Sequence, residues 1–146
     1  LSLRMDKHIS NTAIMVDYLS SNENVTWVNH PSLSDHPDHE VAKKLMPNGQ
    51  GSMIAFGIKG GREAGQAFIN AMKLTSHLAN VGDAKSLVIH PASTTHSQMD
   101  KKSLELAGLT DDMIRFSVGL EDMDDIINDF NNGFRASQKP RLVASR

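Results

Sequence analysis

Residues 113–134 read Met-Ile-Arg-Phe-Ser-Val-Gly-Leu-Glu-Asp-Met-Asp-Asp-Ile-Ile-Asn-Asp-Phe-Asn-Asn-Gly-Phe and join a strand pattern to a helix pattern. In residues 113–118 a large apolar side chain occupies every second position, which is typical of a strand with one buried face. From Met123 onward, apolar side chains return every three or four residues, as on the buried side of a helix: Met123, Ile126, Ile127, Phe130 and Phe134. Acidic residues at 121–125 suit the positive end of that helix dipole. The stretch therefore predicts a strand followed by an amphipathic helix.

Short strands and helices also alternate over the rest of the chain. The predicted helices cover residues 2–21, 38–45 and 101–107, with a further one after Gly61 that buries Phe68 and Met72; the predicted strands cover 25–28, 53–58 and 86–90, and residues 74–81 are a strand or an extended link. This alternation predicts an α/β fold, more closely an α+β sandwich, with one small sheet and helices over one of its faces.

Composition excludes several classes of function. The 146 residues carry a net charge of -2, which gives no electrostatic reason to expect nucleic acid or an acidic membrane as partner. The absence of cysteine excludes disulfides and zinc–thiolate sites, and no apolar run approaches the ~18 residues of a membrane span. Because the chain begins at Leu1, inside a predicted helix, we expect a fragment of a larger protein.

Several motifs have a structural interpretation that we favour over a functional one. Residues 57–61 fit a tight turn better than a phosphate-binding loop, because the full spacing of such a loop is missing. His36 and His39 fit a surface loop better than a metal site, since no third ligand is near in sequence. The acids at 121–125 fit a helix start better than a cation site. Lys59 and Lys85 are expected to be solvated, and no lysine stands out as a Schiff-base former.

Two features remain open on the residues alone. Arg115 is a cation inside an apolar strand, which is costly unless the guanidinium has a partner. That partner is equally well a ligand carboxylate or an Asp or Glu of this chain. Residues 90–96 are rich in small donors and acceptors, and they either shape a polar pocket or form an ordinary connection.

Four motifs in order resemble the C-terminal domain of the Cys/Met-metabolism enzymes that use pyridoxal phosphate. They are Leu-Arg-Met-Asp-Lys-His at 3–8, Phe-Gly-Ile-Lys-Gly-Gly at 56–61, residues 78–96 with Asn-Val-Gly-Asp and His-Pro-Ala-Ser-Thr-Thr-His, and Ile-Arg-Phe-Ser-Val-Gly-Leu-Glu-Asp at 114–122. The resemblance covers residues 3 to about 137. It implies the C-terminal domain of a fold-type I transferase, with a small, mostly antiparallel sheet.

Within the family the chain most resembles the O-acetylhomoserine sulfhydrylases. Such enzymes replace the acetate of O-acetyl-L-homoserine with sulfide to give L-homocysteine, a step of methionine biosynthesis. Cystathionine γ-synthase and methionine γ-lyase are the alternatives inside the family. A catalytically inert, stand-alone binding or assembly module is the alternative outside it.

The resemblance assigns a substrate site to four residues. Arg115 falls on the family's arginine for the substrate α-carboxylate, Asn80 and the backbone N–H of Val81 fall beside that carboxylate, and Thr95 lines the same pocket. No catalytic, cofactor-binding or metal-binding residue falls on this chain, because the Schiff-base lysine and the pyridoxal phosphate site belong to an upstream N-terminal domain. We therefore expect the chain alone to be inactive.

The same resemblance implies a division of the chain and a set of partners. Residues 1–22 are expected to be the remnant of an interdomain helix, 23–139 the substrate-recognition domain and 140–146 a tail. The expected partners are an amino-acid substrate, the missing cofactor domain and further copies in a tetramer built from dimers, without nucleic acid or membrane. A cytoplasmic location is expected.

Overall fold

A computed structural model describes residues 1–80, 82–94 and 101–138. Its helices are α1 (Ser2–Ser20), α2 (His39–Leu45), α3 (Gly61–Ala71), α4 (Lys101–Leu106) and α5 (Met123–Ser137), and its strands are β1 (Val25–Asn29), β2 (Met53–Ile58), β3 (Ser76–His77), β4 (Leu87–Ile89) and β5 (Met113–Ser117). A 3₁₀ turn spans Pro91–Ser93. The predicted order of strands and helices is confirmed, and most bounds agree within two residues.

Two local expectations differ from the structure. Helix α3 ends at Ala71, because Met72 has extended backbone angles and so leaves the helix. Helix α2 begins at His39 rather than at Asp38, which occupies the N-cap position without a side-chain capping hydrogen bond. Gln138 and Lys59 approach each other at the far end of α5, where the Gln138 amide donates to the Lys59 carbonyl.

The five strands form one sheet in the order β1-β2-β5-β4-β3. Strand β2 pairs antiparallel with both β1 and β5, and β5 pairs antiparallel with β4. Only the short edge strand β3, among the described strands, runs parallel to its neighbour. The sheet is therefore mostly antiparallel, as the family resemblance implies.

Alternate side chains of the strands build one hydrophobic core with α1, α3 and α5. The core residues are Met15, Val16, Leu19, Ile54, Phe56, Ile58, Ala64, Phe68, Ile69, Val88, Ile114, Phe116, Val118, Met123, Ile126, Phe130 and Phe134. Phe116 of β5 packs edge-on against Phe130 of α5, with 4.7 Å between ring centroids. The predicted strand and helix in residues 113–134 thus pack directly on each other, and α1, α3 and α5 lie on one face of the sheet.

The opposite sheet face, here called the open face, carries the other set of side chains. On the three central strands these residues are Met53, Ala55, Gly57, Leu87, Ile89, Met113, Arg115 and Ser117, and none belongs to the core cluster. Successive side chains of a strand point to opposite faces, so the burial of Ile114 and Phe116 in the core places Arg115 on the open face. The fold therefore places Arg115 on the face opposite to α1, α3 and α5.

Helix α1 is hydrogen-bonded to the turn that follows β5. The His8 ring Nδ1 donates to the Val118 carbonyl at 2.7 Å, and the Asn11 amide donates to the carbonyls of Gly119 and Glu121, each at 3.0 Å. His8 and Asn11 are both buried. These bonds fix where β5 ends, and so they fix the position of the strand that carries Arg115.

Candidate functional site

Arg115 is an exposed cation in the middle of the central strand. Its neighbours across the sheet are Ala55 of β2 and Ile89 of β4. Within residues 1–80, 82–94 and 101–138, no carboxylate forms an ion pair with its guanidinium. The sequence left an internal salt bridge and a ligand carboxylate equally open, and this arrangement favours the ligand.

Two of the four predicted site residues, Arg115 and Asn80, lie within the described part of the chain. Asn80 is exposed and lies in the connection from β3 to β4, and β4 supplies Ile89 as a register partner of Arg115. The other two predicted site residues, Val81 and Thr95, lie outside the described residues. Next to Val81, the Gly82 carbonyl accepts a hydrogen bond from the Arg4 guanidinium at 2.8 Å.

Hydrogen bonds of the His90 ring hold the described part of the polar loop, residues 90–94, in place. The ring Nε2 donates to the Asp111 carbonyl at 2.8 Å, so in the neutral ring Nδ1 accepts from the Ser93 hydroxyl at 2.7 Å. Burial lowers the pKa of His90 from its usual value of 6.5, and the nearby Arg62 charge lowers it further, while the Asp111 carbonyl opposes the shift. The segment that leads toward Thr95 therefore starts from a hydrogen-bonded turn.

Close packing under this turn depends on Gly65 of α3. A Cβ at Gly65 would lie 2.6 Å from His90 Nε2, too close for any real contact. Arg62, one turn earlier, donates to the Ala92 carbonyl at 2.6 Å. Helix α3 and the 90–94 turn thus form one unit.

A second polar cluster, which the sequence did not reveal, joins the edge strand to the start of β5. The Asp112 carboxylate accepts from the Trp27 indole at 3.0 Å and from the Thr26 hydroxyl at 3.1 Å. Both bonds pass directly over Gly57 of β2, where a Cβ would collide with all three groups. Gly57 is thus a strand residue that makes room for this cluster; the turn that follows it is formed by Gly60 and Gly61, whose φ angles are 99° and 63°.

The acids at 121–125 have separate structural tasks. Asp122 caps α5 by accepting from the Asp124 backbone N–H at 2.9 Å, which fits the predicted helix start. Glu121 instead accepts from both the backbone N–H and the hydroxyl of Ser86, each at 2.7 Å. Glu121 therefore anchors the start of β4 to the turn after β5.

His36 and His39 serve the loop around them. His36 Nδ1 accepts from the Asp38 backbone N–H, and His39 Nδ1 donates to the Pro31 carbonyl. The part of the chain that the structure describes contains no group of three His, Cys, Asp or Glu residues placed to hold a metal ion. It also contains no helix of the length and apolarity that a bilayer crossing requires.

Comparison with known proteins identifies relatives over nearly the whole chain. The family model for Cys/Met metabolism PLP-dependent enzymes matches residues 1–135. The chain is 49% identical over 130 residues to the homocysteine synthase of Schizosaccharomyces pombe, covering 89% of this chain and 30% of that protein. It is 48% identical over 126 residues to O-acetyl-L-homoserine sulfhydrylase 1 of Thermus thermophilus (86% of this chain, 30% of that protein) and 45% identical over 131 residues to the L-methionine gamma-lyase of Fusobacterium nucleatum (90% and 33%).

Solved structures agree with these relatives. Cystathionine gamma-lyase from Lactobacillus plantarum, complexed with L-serine, matches 94% of this chain with a TM-score of 0.85 and 35% identity, and 35% of its own chain is covered. A putative O-acetylhomoserine (thiol)-lyase from Campylobacter jejuni, which contains N'-pyridoxyl-lysine-5'-monophosphate, matches 92% of this chain with a TM-score of 0.83 and 36% identity, and 32% of its own chain is covered. The cofactor of the family is thus pyridoxal phosphate.

The chain spans about a third of the length of the curated relatives it matches. The similarity nevertheless includes all five strands, the 90–94 turn and Arg115. The extent of the family match and the identity to several relatives together settle the classification: the chain belongs to the family of Cys/Met metabolism PLP-dependent enzymes.

Proposed function

We propose that this chain is the substrate-recognition part of a pyridoxal-phosphate-dependent O-acetylhomoserine sulfhydrylase. Arg115 binds the α-carboxylate of the amino-acid substrate there. The observation that carries this proposal is the exposed Arg115 guanidinium on the open face, without an ion-pair partner among the described residues. A planar guanidinium offers two parallel N–H donors to a carboxylate, so it fixes the substrate's orientation as well as binding it.

The neighbourhood of Arg115 supports this assignment. Ala55 and Ile89 beside it are apolar, so they offer the guanidinium no counter-charge. In the proposed site, Asn80 and the backbone N–H of Val81 contact the same carboxylate, and Thr95 lines the pocket. Together they hold the amino acid in place, which is positioning rather than acid–base catalysis.

The described residues suit the substrate better than the cofactor. Pyridoxal phosphate supplies an electron sink for bonds at the substrate Cα, and the family name implies it. All lysine side chains that the structure describes are exposed, and none lies on a strand: Lys7, Lys43, Lys44, Lys59, Lys73, Lys85 and Lys102. We therefore assign the Schiff-base lysine and the phosphate site to a separate N-terminal domain, with residues 1–22 as the connecting helix, 23–139 as the substrate-recognition domain and 140–146 as a tail.

The same proposal covers the assembly. We infer that the open face meets the cofactor domain, that the complete protein is a cytoplasmic homo-oligomer of the tetramer type, and that this chain alone turns over no substrate. Support comes from Met53 and Ala55, two partly exposed apolar residues that lie on the open face with Arg115.

Substitution of Arg115 tests the carboxylate assignment. In the complete, cofactor-loaded protein, Arg115→Ala is expected to lower kcat/KM for O-acetyl-L-homoserine about 100-fold, because two charge-assisted hydrogen bonds are lost. Arg115→Lys keeps the positive charge but lacks the two parallel N–H donors. Its kcat/KM should therefore lie between that of Arg115→Ala and that of the unsubstituted protein. Arg135→Ala removes an exposed cation from α5 and serves as the control. Unchanged kcat and KM in Arg115→Ala would refute the assignment.

A comparison of acceptors separates the proposed reaction from its alternatives within the family. A lyase and a cystathionine synthase are the alternatives to be separated. The relatives include an L-methionine gamma-lyase, and the similar structures include a cystathionine gamma-lyase. With O-acetyl-L-homoserine as donor, we expect sulfide to be the better acceptor, giving homocysteine. Preference for cysteine would indicate a cystathionine synthase instead, and release of a thiol from methionine without an acceptor would indicate a lyase.

A further inference from the structure

Ser117 contains a buried hydroxyl without a hydrogen-bond partner. The residue is 2% exposed, and its Oγ atom is among the buried polar atoms that the structure leaves unpaired. Burying a hydroxyl without a hydrogen-bond partner destabilises the folded chain. Its neighbours across the sheet are Met53 and Leu87, whose side chains contain no nitrogen or oxygen atom.

Arg115 is the complementary group on the same face of the same strand. It is two residues from Ser117, so the two Cβ atoms are about 6.5 Å apart along β5, a distance that an arginine side chain can cover. The guanidinium has five N–H donors and no acceptor, and the side chains beside it are Ala55 and Ile89. On the three central strands, Arg115 and Ser117 are thus the two polar side chains of the open face.

We propose that Ser117 is a positioning residue for Arg115. Its hydroxyl oxygen accepts one guanidinium N–H when Arg115 lies along the strand, and this leaves the other edge of the guanidinium to face the substrate carboxylate. Binding of the carboxylate and the bond to Ser117 then support each other, because both need the same orientation of the guanidinium. This inference rests on the proposed carboxylate-binding role of Arg115.

Two readouts of Ser117→Ala distinguish positioning from a structural role. Removing an unpaired buried hydroxyl should leave the melting temperature of this chain unchanged or higher, since no hydrogen bond is lost in the free state. In the complete, cofactor-loaded protein the same variant should raise KM for the amino-acid substrate about 5- to 10-fold with little change in kcat. Ser117→Thr retains the hydroxyl and should keep KM within about 2-fold of the unsubstituted protein.

A double-mutant cycle with Arg115→Ala completes the test. If Ser117 acts through Arg115, Ser117→Ala should lower kcat/KM less than about 2-fold in the Arg115→Ala background. A full, additive loss in that background would overturn the inference, as would an unchanged KM in Ser117→Ala alone. Failure of the proposed function is a separate result, because it requires that Arg115→Ala itself leave kcat/KM unchanged.

Discussion

Gly57 shows how one missing side chain supports a polar cluster. The space that a Cβ would need is taken by the Trp27 indole, the Thr26 hydroxyl and the Asp112 carboxylate. Gly57→Ala is therefore expected to lower the free energy of unfolding by about 2 kcal/mol, measured by urea denaturation, because the cluster must move. Ala55→Gly, on the same face of the same strand, is the matched control and should cost about 1 kcal/mol or less. A Gly57→Ala protein as stable as the original would contradict this packing.

Asp129 is a buried carboxylate that holds the connection after α3. Its two oxygens accept the backbone N–H groups of Lys73, Leu74 and Thr75 at 2.7, 3.1 and 2.9 Å. Asp129→Asn replaces one acceptor oxygen by a donor and should lower the free energy of unfolding by about 3 kcal/mol. Asp125→Asn, an exposed acid on the same helix, should change it by less than about 1 kcal/mol. Equal effects of the two substitutions would rule out the anchoring role.

At the scale of the elements, the 90–94 turn makes stability depend on pH. The pKa of buried His90 is lowered in the folded protein, so the unfolded chain binds the proton more readily. The contribution of His90 is therefore present above pH 6.5 and is lost as the pH falls through the folded-state pKa. The pKa of His30 is also lowered by burial, so both residues act in the same direction.

His90→Gln tests this dependence while retaining a donor for the Asp111 carbonyl. The variant should be about 1 kcal/mol less stable at pH 7, but it should lose less stability between pH 7 and pH 5 than the original chain does. Urea denaturation at the two pH values measures both effects. An identical pH-dependent loss in the variant would show that His90 does not contribute.

Regular periodicity explains which elements the sequence could predict. Strand β5 and helix α5 have uninterrupted apolar patterns, and both were predicted within one residue at their starts. The patterns could not reveal His8 and Asn11, because these buried polar residues pair with carbonyls 108–110 positions away. The exposure of Arg115 likewise depends on which face of the sheet the helices cover, which is a property of the tertiary structure.

At the scale of the whole molecule, the assignment of the cofactor site to another domain can be tested on this chain alone. All described lysine side chains are exposed. We therefore expect pyridoxal phosphate followed by borohydride to give no stoichiometric attachment at a single lysine, as judged by mass spectrometry of peptides. Modification of one lysine at full occupancy would overturn the assignment of the cofactor site to another domain.

The cluster over Gly57 also provides a spectroscopic signal. Trp27 is the single tryptophan of the 146 residues, and its indole spans β2 to reach Asp112 at the start of β5. Its fluorescence therefore reports on the junction of the three outermost strands at that edge, without any added label. Loss of the edge strand should change the emission even while the aromatic core around Phe116 and Phe130 remains packed, so a single intrinsic fluorophore can separate local opening of the sheet from global unfolding.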